Sequence, residues 1–123
     1  MEELQTNIVA LSKVDINDGK ELYEFLLLDN EEVLVSYKSL RDRLIMTDKR
    51  FIAINVQGVT GKKKEFLNIP FSKISMFSCE SAGTFDLDAE LKLWCSGVGK
   101  VEFEFVKGTN IKMILKILSE RIC

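Results

Sequence analysis

Phe85-Asp-Leu-Asp-Ala-Glu-Leu-Lys-Leu-Trp-Cys95, then Ser96-Gly-Val-Gly99, then Lys100-Val-Glu-Phe-Glu-Phe-Val106, is the stretch that decides the fold class. Leu87, Ala89, Leu91, Leu93 and Cys95 alternate with Asp86, Asp88, Glu90, Lys92 and Trp94. Val101, Phe103 and Phe105 alternate in the same way with Lys100, Glu102 and Glu104. Successive side chains of a strand point to opposite faces, so this unbroken period of two predicts two strands, each buried on one side. The glycine-bearing segment between them supplies a turn. The period then changes. Ile111, Ile114, Leu115, Leu118 and Ile122 recur at helical spacing, widened by Met113 and Ile117, with Lys112, Lys116, Ser119 and Glu120 on the other side. This predicts one amphipathic helix over Thr109–Ile122, with Thr109 as its N-cap.

Upstream, Val33–Lys38, Asp42–Thr47, Phe51–Val56, Lys63–Ile69 and Lys73–Cys79 read as further strands rich in β-branched and aromatic residues. Thr47-Asp-Lys-Arg50 suits a hairpin turn, and Gln57–Gly61 holds two glycines. Pro70, the only proline, cannot donate to a ladder and belongs at an edge, a bulge or a strand start. About seven strands followed by a lone helix predict a mostly β domain, a small barrel or sandwich with one open end plugged by the helix. Leu4, Ile8 and Leu11 recur at helical spacing, and Asp18 is placed to cap a short helix through Leu27. The expected organisation is therefore a single domain: an acidic helical extension over 1–31, strands over 32–107 and the helix over 109–122.

A chain of 123 residues buries roughly two-thirds of its unfolded surface, which is enough without a disulfide or metal staple. Its net charge is −2, unevenly spread. Met1–Glu32 carries nine acids and two bases (−7), Val33–Ser75 nine bases and three acids (+6), and the rest is near −1. An acidic segment beside a basic one favours contact between them, within a chain or between chains, and argues against a dedicated nucleic-acid binder. Cys79, Cys95 and Cys123 fit neither a disulfide framework nor a paired metal site. Met-Glu-Glu is not a secretory leader, and no apolar run approaches the ~20 residues that span a bilayer. A cytoplasmic protein is expected.

The strings Gly58-Val-Thr-Gly-Lys-Lys-Lys-Glu65, Ile69-Pro-Phe71 and Ser81-Ala-Gly-Thr-Phe-Asp-Leu-Asp-Ala-Glu-Leu-Lys-Leu-Trp94 resemble the bacterial pleckstrin-homology (PH) domain family. Lys38-Ser-Leu-Arg-Asp-Arg43 and Thr47-Asp-Lys-Arg50 fall where that family has its first hairpins, and Lys107-Gly-Thr-Asn-Ile111 looks like its helix start. The resemblance covers nearly the whole chain. It implies two near-orthogonal antiparallel sheets of seven strands closed by one helix. It also implies kinship with stand-alone members that form homo-oligomeric rings, and with eukaryotic relatives that bind phosphoinositides, peptides or proteins.

Candidate sites follow from residue type. Lys38, Arg41 and Arg43 cluster near the first hairpin, where convergent cations can hold phosphate oxygens. Asp42 sits within that cluster, and the connecting loop is short. Lys62, Lys63 and Lys64 follow a glycine turn; such a run is most often a solvated loop, and nothing apolar beside it stands out as able to insert into a membrane. Asp86, Asp88 and Glu90 line one strand face, all pointing the same way, which suits a docking ladder better than a metal or acid–base pair. Trp94 shares that face and, as a tryptophan, suits an interface centre. With no histidine, histidine-based catalysis and most zinc sites are excluded. Cys95 reads as an inert core thiol.

The expected function is a non-enzymatic binding and scaffolding module that self-associates into a ring, with no cofactor or metal. Asp86, Asp88, Glu90 and Trp94 are the interface candidates. The alternative is a peripheral membrane or anionic-ligand binder using Lys38, Arg41, Arg43 and Lys62 to Lys64. The surface, not an enclosed cavity, is expected to carry the function.

Overall fold

The structure, a computed structural model, describes residues 4–81 and 88–123. Its elements in chain order are β1 (Leu4–Val14), β2 (Val33–Lys38), β3 (Arg43–Thr47), β4 (Arg50–Gln57), β5 (Lys63–Pro70), β6 (Ile74–Ser81), β7 (Ala89–Cys95), β8 (Gly99–Phe105) and α1 (Ile111–Ile122). Among the described residues, eight strands make one sheet in the order β5-β4-β3-β2-β1-β8-β7-β6. All pairings are antiparallel except that of β1 with β8. The two ends of that order, β5 and β6, are joined by a single 3-10 turn, Phe71–Lys73. A sheet whose end strands are consecutive in the chain must curl, and it does so around one core.

This corrects the expectation of seven strands in two separate antiparallel sheets. The difference is β1, which bridges both halves. Its first part runs parallel to β8 from Leu4 opposite Gly99, and its last part pairs with β2 from Ser12 opposite Lys38. Between them the register slips: Ile8 faces Phe103 and Leu11 faces Phe105, three steps on β1 against two on β8. That is a β-bulge, and Ala10 takes the left-handed conformation within it (φ 58°). The bulge puts Ile8 and Leu11 on the same buried face. Their three-residue spacing imitates a helix, which is why the expected helical extension is a strand.

Residues 15–32 are not the expected capped helix either. They form two single 3-10 turns, Lys20–Leu22 and Glu24–Leu26. Asp18 caps neither; Gly19, in the left-handed region, precedes the first turn. α1 begins at Ile111, and its cap is Asn110 rather than Thr109: Asn110 Oδ1 accepts from the Met113 amide at 3.2 Å. Thr109 instead donates its hydroxyl to the Val106 carbonyl at 2.6 Å, tightening the turn into the helix.

The inner face carries the main core, with Leu44, Met46, Leu91, Leu93, Val101, Phe103 and Phe105 fully buried. α1 closes it with Ile114 and Leu118, both without exposed surface, while Ile111, Leu115 and Ile122 pack at the margin. Burying two such side chains contributes about 1.5–3 kcal/mol each. A second cluster lies on the opposite face of β2–β4: Ile45, Ile52 and Ile54 are covered by Tyr23, with Leu22, Leu26 and Leu27 around it. The acidic N-terminal segment therefore packs on its own sheet. Pro70 sits at the end of the edge strand β5, as its missing donor requires.

Candidate functional site

The basic cluster read from the first hairpin does not converge. Arg43 lies at the start of β3, and its Nη1 donates to the Asp18 carboxylate at 2.8 Å and the Asp18 carbonyl at 3.0 Å. Its guanidinium lies against Gly19, where a Cβ would collide with it and where the positive φ of 71° already favours glycine. Arg43 is thus a strap for the N-terminal cover. Arg41 is exposed at the β2–β3 loop and donates to the Gly58 carbonyl, tying that loop to the glycine turn before β5. Asp42 is equally occupied: its Oδ1 accepts from the Val56 amide at 3.0 Å. Lys38 remains exposed, as do Lys62, Lys63 and Lys64.

The bond from Arg41 to Gly58 brings two loop tips together, and both carry a bare apolar side chain. Leu40 is 96% exposed and Val59 104% exposed. Two exposed apolar side chains therefore accompany the lysine run. Leu40 comes from a different loop, so the sequence neighbourhood of the run does not reveal it.

The face expected to be an acidic ladder is largely neutralised in place. Lys92 Nζ lies 3.5 Å from Glu80 and 3.8 Å from Glu90, and Lys100 Nζ lies 2.7 Å from Glu102. The hydrogen bond from Lys100 holds the Glu102 carboxyl below its usual range; desolvation opposes it, and the Lys100 and Lys92 charges add to the lowering. Asp88 is exposed just before β7. Asp86 lies outside the described residues. Trp94 is half-buried opposite Met76, which is 54% exposed, and the two make an apolar strip near the free edge of β6. The Ser75 hydroxyl donates to the Trp94 carbonyl at 3.0 Å.

Residues 3–122 match the family model described as Bacterial PH domain. The chain belongs to the bacterial PH domain family. It is 48% identical over 96 residues to the uncharacterised protein YjqA of Bacillus subtilis (strain 168), covering 76% of this chain and 77% of that one. It is 32% identical over 106 residues to the uncharacterised YozO of the same organism, covering 86% and 90% respectively. A crystal structure of a DUF1696 family protein with a pleckstrin-homology domain from Shewanella loihica PV-4 is similar at a TM-score of 0.81 and 37% identity, covering 94% of this chain and 99% of that one.

In this bacterial PH domain no group of three or more metal-ligating side chains comes together among the described residues. No described helix is long and apolar enough to cross a membrane. Burial pushes the Cys79 and Cys95 thiols up, away from the reactive thiolate. The sequence reading passed over one place: an open groove of about 370 Å³ where β1, β2 and the β8–α1 connection meet. Ser12, Lys13, Tyr37, Lys107, Asn110 and Met113 contribute to it. Tyr37 is 1% exposed, and burial alone pushes its phenol well above the usual value. Its partner across the strands is Lys13, which therefore stands on the same face. The only hint in the sequence is Lys13 itself, one of two bases in an otherwise acidic segment.

Proposed function

We propose that this bacterial PH domain is a non-enzymatic scaffolding module whose copies join head to tail into a closed ring. One observation carries the reading: among the described residues the curled sheet ends in two unlike strands, each paired on one side only. β5 presents Lys63 and Lys64, with Lys62 just before them, all exposed. β6 presents the Met76–Trp94 strip, while its exposed Glu80 already faces Lys92 of the neighbouring strand. Unpaired edges offer backbone donors and acceptors to another chain. Edges of unlike chemistry favour a heterologous contact over a two-fold one, and such contacts close into rings when the rotation allows. The resemblance to ring-forming stand-alone members points the same way. The N-terminal charge asymmetry does not support it, because Asp18 and Glu31 spend their charge on Arg43 and Arg50 of their own chain. Sedimentation of the triple variant K62E/K63E/K64E and of Met76→Glu tests the contact. Both are expected to shift an assembled wild type to lower mass. Unchanged sedimentation of both variants would remove these edges from the interface.

A second reading is favoured by the two loop tips. Leu40 and Val59 project beside Lys38 and Lys62 to Lys64, a pattern that suits shallow contact with an anionic membrane surface. Each base near such a surface contributes about 1 kcal/mol, so binding would be salt-sensitive. Flotation with vesicles containing phosphatidylglycerol, against neutral vesicles, decides it. Binding that is lost in L40S/V59S supports this reading, and no flotation at low salt contradicts it.

A further inference from the structure

We propose that the groove at the β1–β2–α1 corner is a binding site for a phosphate-bearing small molecule. Its charge is one-sided. Lys13 and Lys107 stand on it as exposed ammonium groups, neither is in an ion pair with a described residue, and no acid is among its lining residues. The N-terminus of α1, twelve residues long, opens onto it at Asn110 and adds the positive end of the helix dipole.

Tyr37 supplies an independent observation. Its side chain is 1% exposed and lines the groove, yet its hydroxyl makes no hydrogen bond with any described residue. The only fully enclosed side-chain polar atom without a partner among the described residues is Ser36 Oγ, so the Tyr37 hydroxyl is not sealed in the core. A tyrosine held this deeply usually has a partner for its hydroxyl. Here the hydroxyl end of the ring opens onto the groove. The ring itself is fixed edge-on against Phe105, with centroids 4.9 Å apart, so the hydroxyl is presented on a rigid stem.

The donor set selects the ligand chemistry. Two lysines, the Tyr37 hydroxyl and the positive end of the helix dipole suit several oxygens around one centre, as on a phosphate. They lack the planar fork of an arginine that would favour a carboxylate. Met113 and Val106 line the groove as well, giving an apolar wall for the organic part of the ligand. The volume of about 370 Å³ falls within the range of small-molecule sites. The groove is separate from the lysines of the loop tips: Lys38 follows Tyr37 directly in β2 and so points to the opposite face.

The site is tested by titrating the isotope-labelled full chain with inorganic phosphate at constant ionic strength and following its amide resonances. Saturable shifts confined to Lys13, Tyr37, Gly108, Asn110 and Met113 are expected. The double variant K13Q/K107Q should weaken the response at least tenfold. Tyr37→Phe should weaken it severalfold without lowering the unfolding temperature, because the hydroxyl has no partner to lose. Scattered or non-saturating shifts, or a response that survives K13Q/K107Q, would overturn the proposal. A parallel arm with glycerol phosphate and with phosphatidic acid vesicles separates a soluble ligand from a lipid headgroup. The site requires that at least one of them shift these same resonances.

Discussion

Glu31 is the residue that fastens the N-terminal cover. Its side chain has no exposed surface, and it takes a two-point contact from Arg50, 2.8 Å and 2.9 Å, plus the Thr47 hydroxyl at 2.6 Å. Arg50 in turn holds the Leu26 carbonyl at 2.6 Å and Asn68 Oδ1 at 3.1 Å, so one guanidinium links the second 3-10 turn, β4 and β5. Burial pushes the Glu31 carboxyl up, but the hydrogen bonds from Arg50, Thr47 and the Leu28 amide, with the Arg50 charge, bring it below its ordinary value. A carboxyl depressed in the folded state stabilises fully above its unfolded value, and that stabilisation is lost as pH falls through the folded one. Glu31→Gln leaves Arg50 without its counter-charge and should cost about 2–4 kcal/mol in urea unfolding at neutral pH. The gap between wild type and Glu31→Gln should narrow as pH falls below the ordinary glutamate range and through the depressed folded value. A gap independent of pH would mean that the carboxylate charge is not what holds the segment. Ala10 is the opposite case. Its left-handed backbone (φ 58°) is strained for any residue with a Cβ, and Ala10→Gly should raise stability by about 0.5–1 kcal/mol.

Among the elements, α1 has the clearest single lever. Leu118 is wholly buried under the curled sheet, and Leu118→Ala should destabilise by about 2–5 kcal/mol, measured as a fall in the unfolding midpoint at unchanged slope. The strands from β2 to β8 were legible for two reasons: β-branched and aromatic content marks β2 to β6, and local alternation marks β7 and β8. β7 and β8 show it in full: every second residue from Ala89 to Cys95 and from Val101 to Phe105 is buried. β1 was not legible, because one bulge at Ala10 converts a period of two into the i, i+3 spacing of a helix. The N-cap slipped by one residue for a smaller reason: Thr109 and Asn110 both have cap chemistry, and only the turn into the helix decides which side chain reaches the Met113 amide. The candidate site was read least well. Lys38, Arg41 and Arg43 are neighbours in sequence, but Arg43 goes to Asp18 and Arg41 to Gly58, contacts 25 and 17 residues distant. The groove at Tyr37 joins residues from three separate stretches, none of which carries a motif.

At the scale of the whole molecule, two ion pairs, Asp18 with Arg43 and Glu31 with Arg50, join the acidic and basic segments of this bacterial PH domain within one chain. The surface includes a lysine-bearing edge at β5, an apolar strip at the β6 edge, and two bare apolar tips at Leu40 and Val59. A monomer would leave both sheet edges open to water and to other chains, a hazard that proteins normally cover. Head-to-tail closure covers every edge with the next copy. Raising the salt concentration should loosen such an assembly, since the lysines of β5 are exposed and their charge is screened within about a Debye length. The most direct measurement is the native mass of the unmodified full chain by sedimentation velocity at high micromolar concentration. A single species at a whole multiple, three or more, of the 14.0 kDa chain mass is expected. A lone 14.0 kDa monomer at every concentration would contradict the ring.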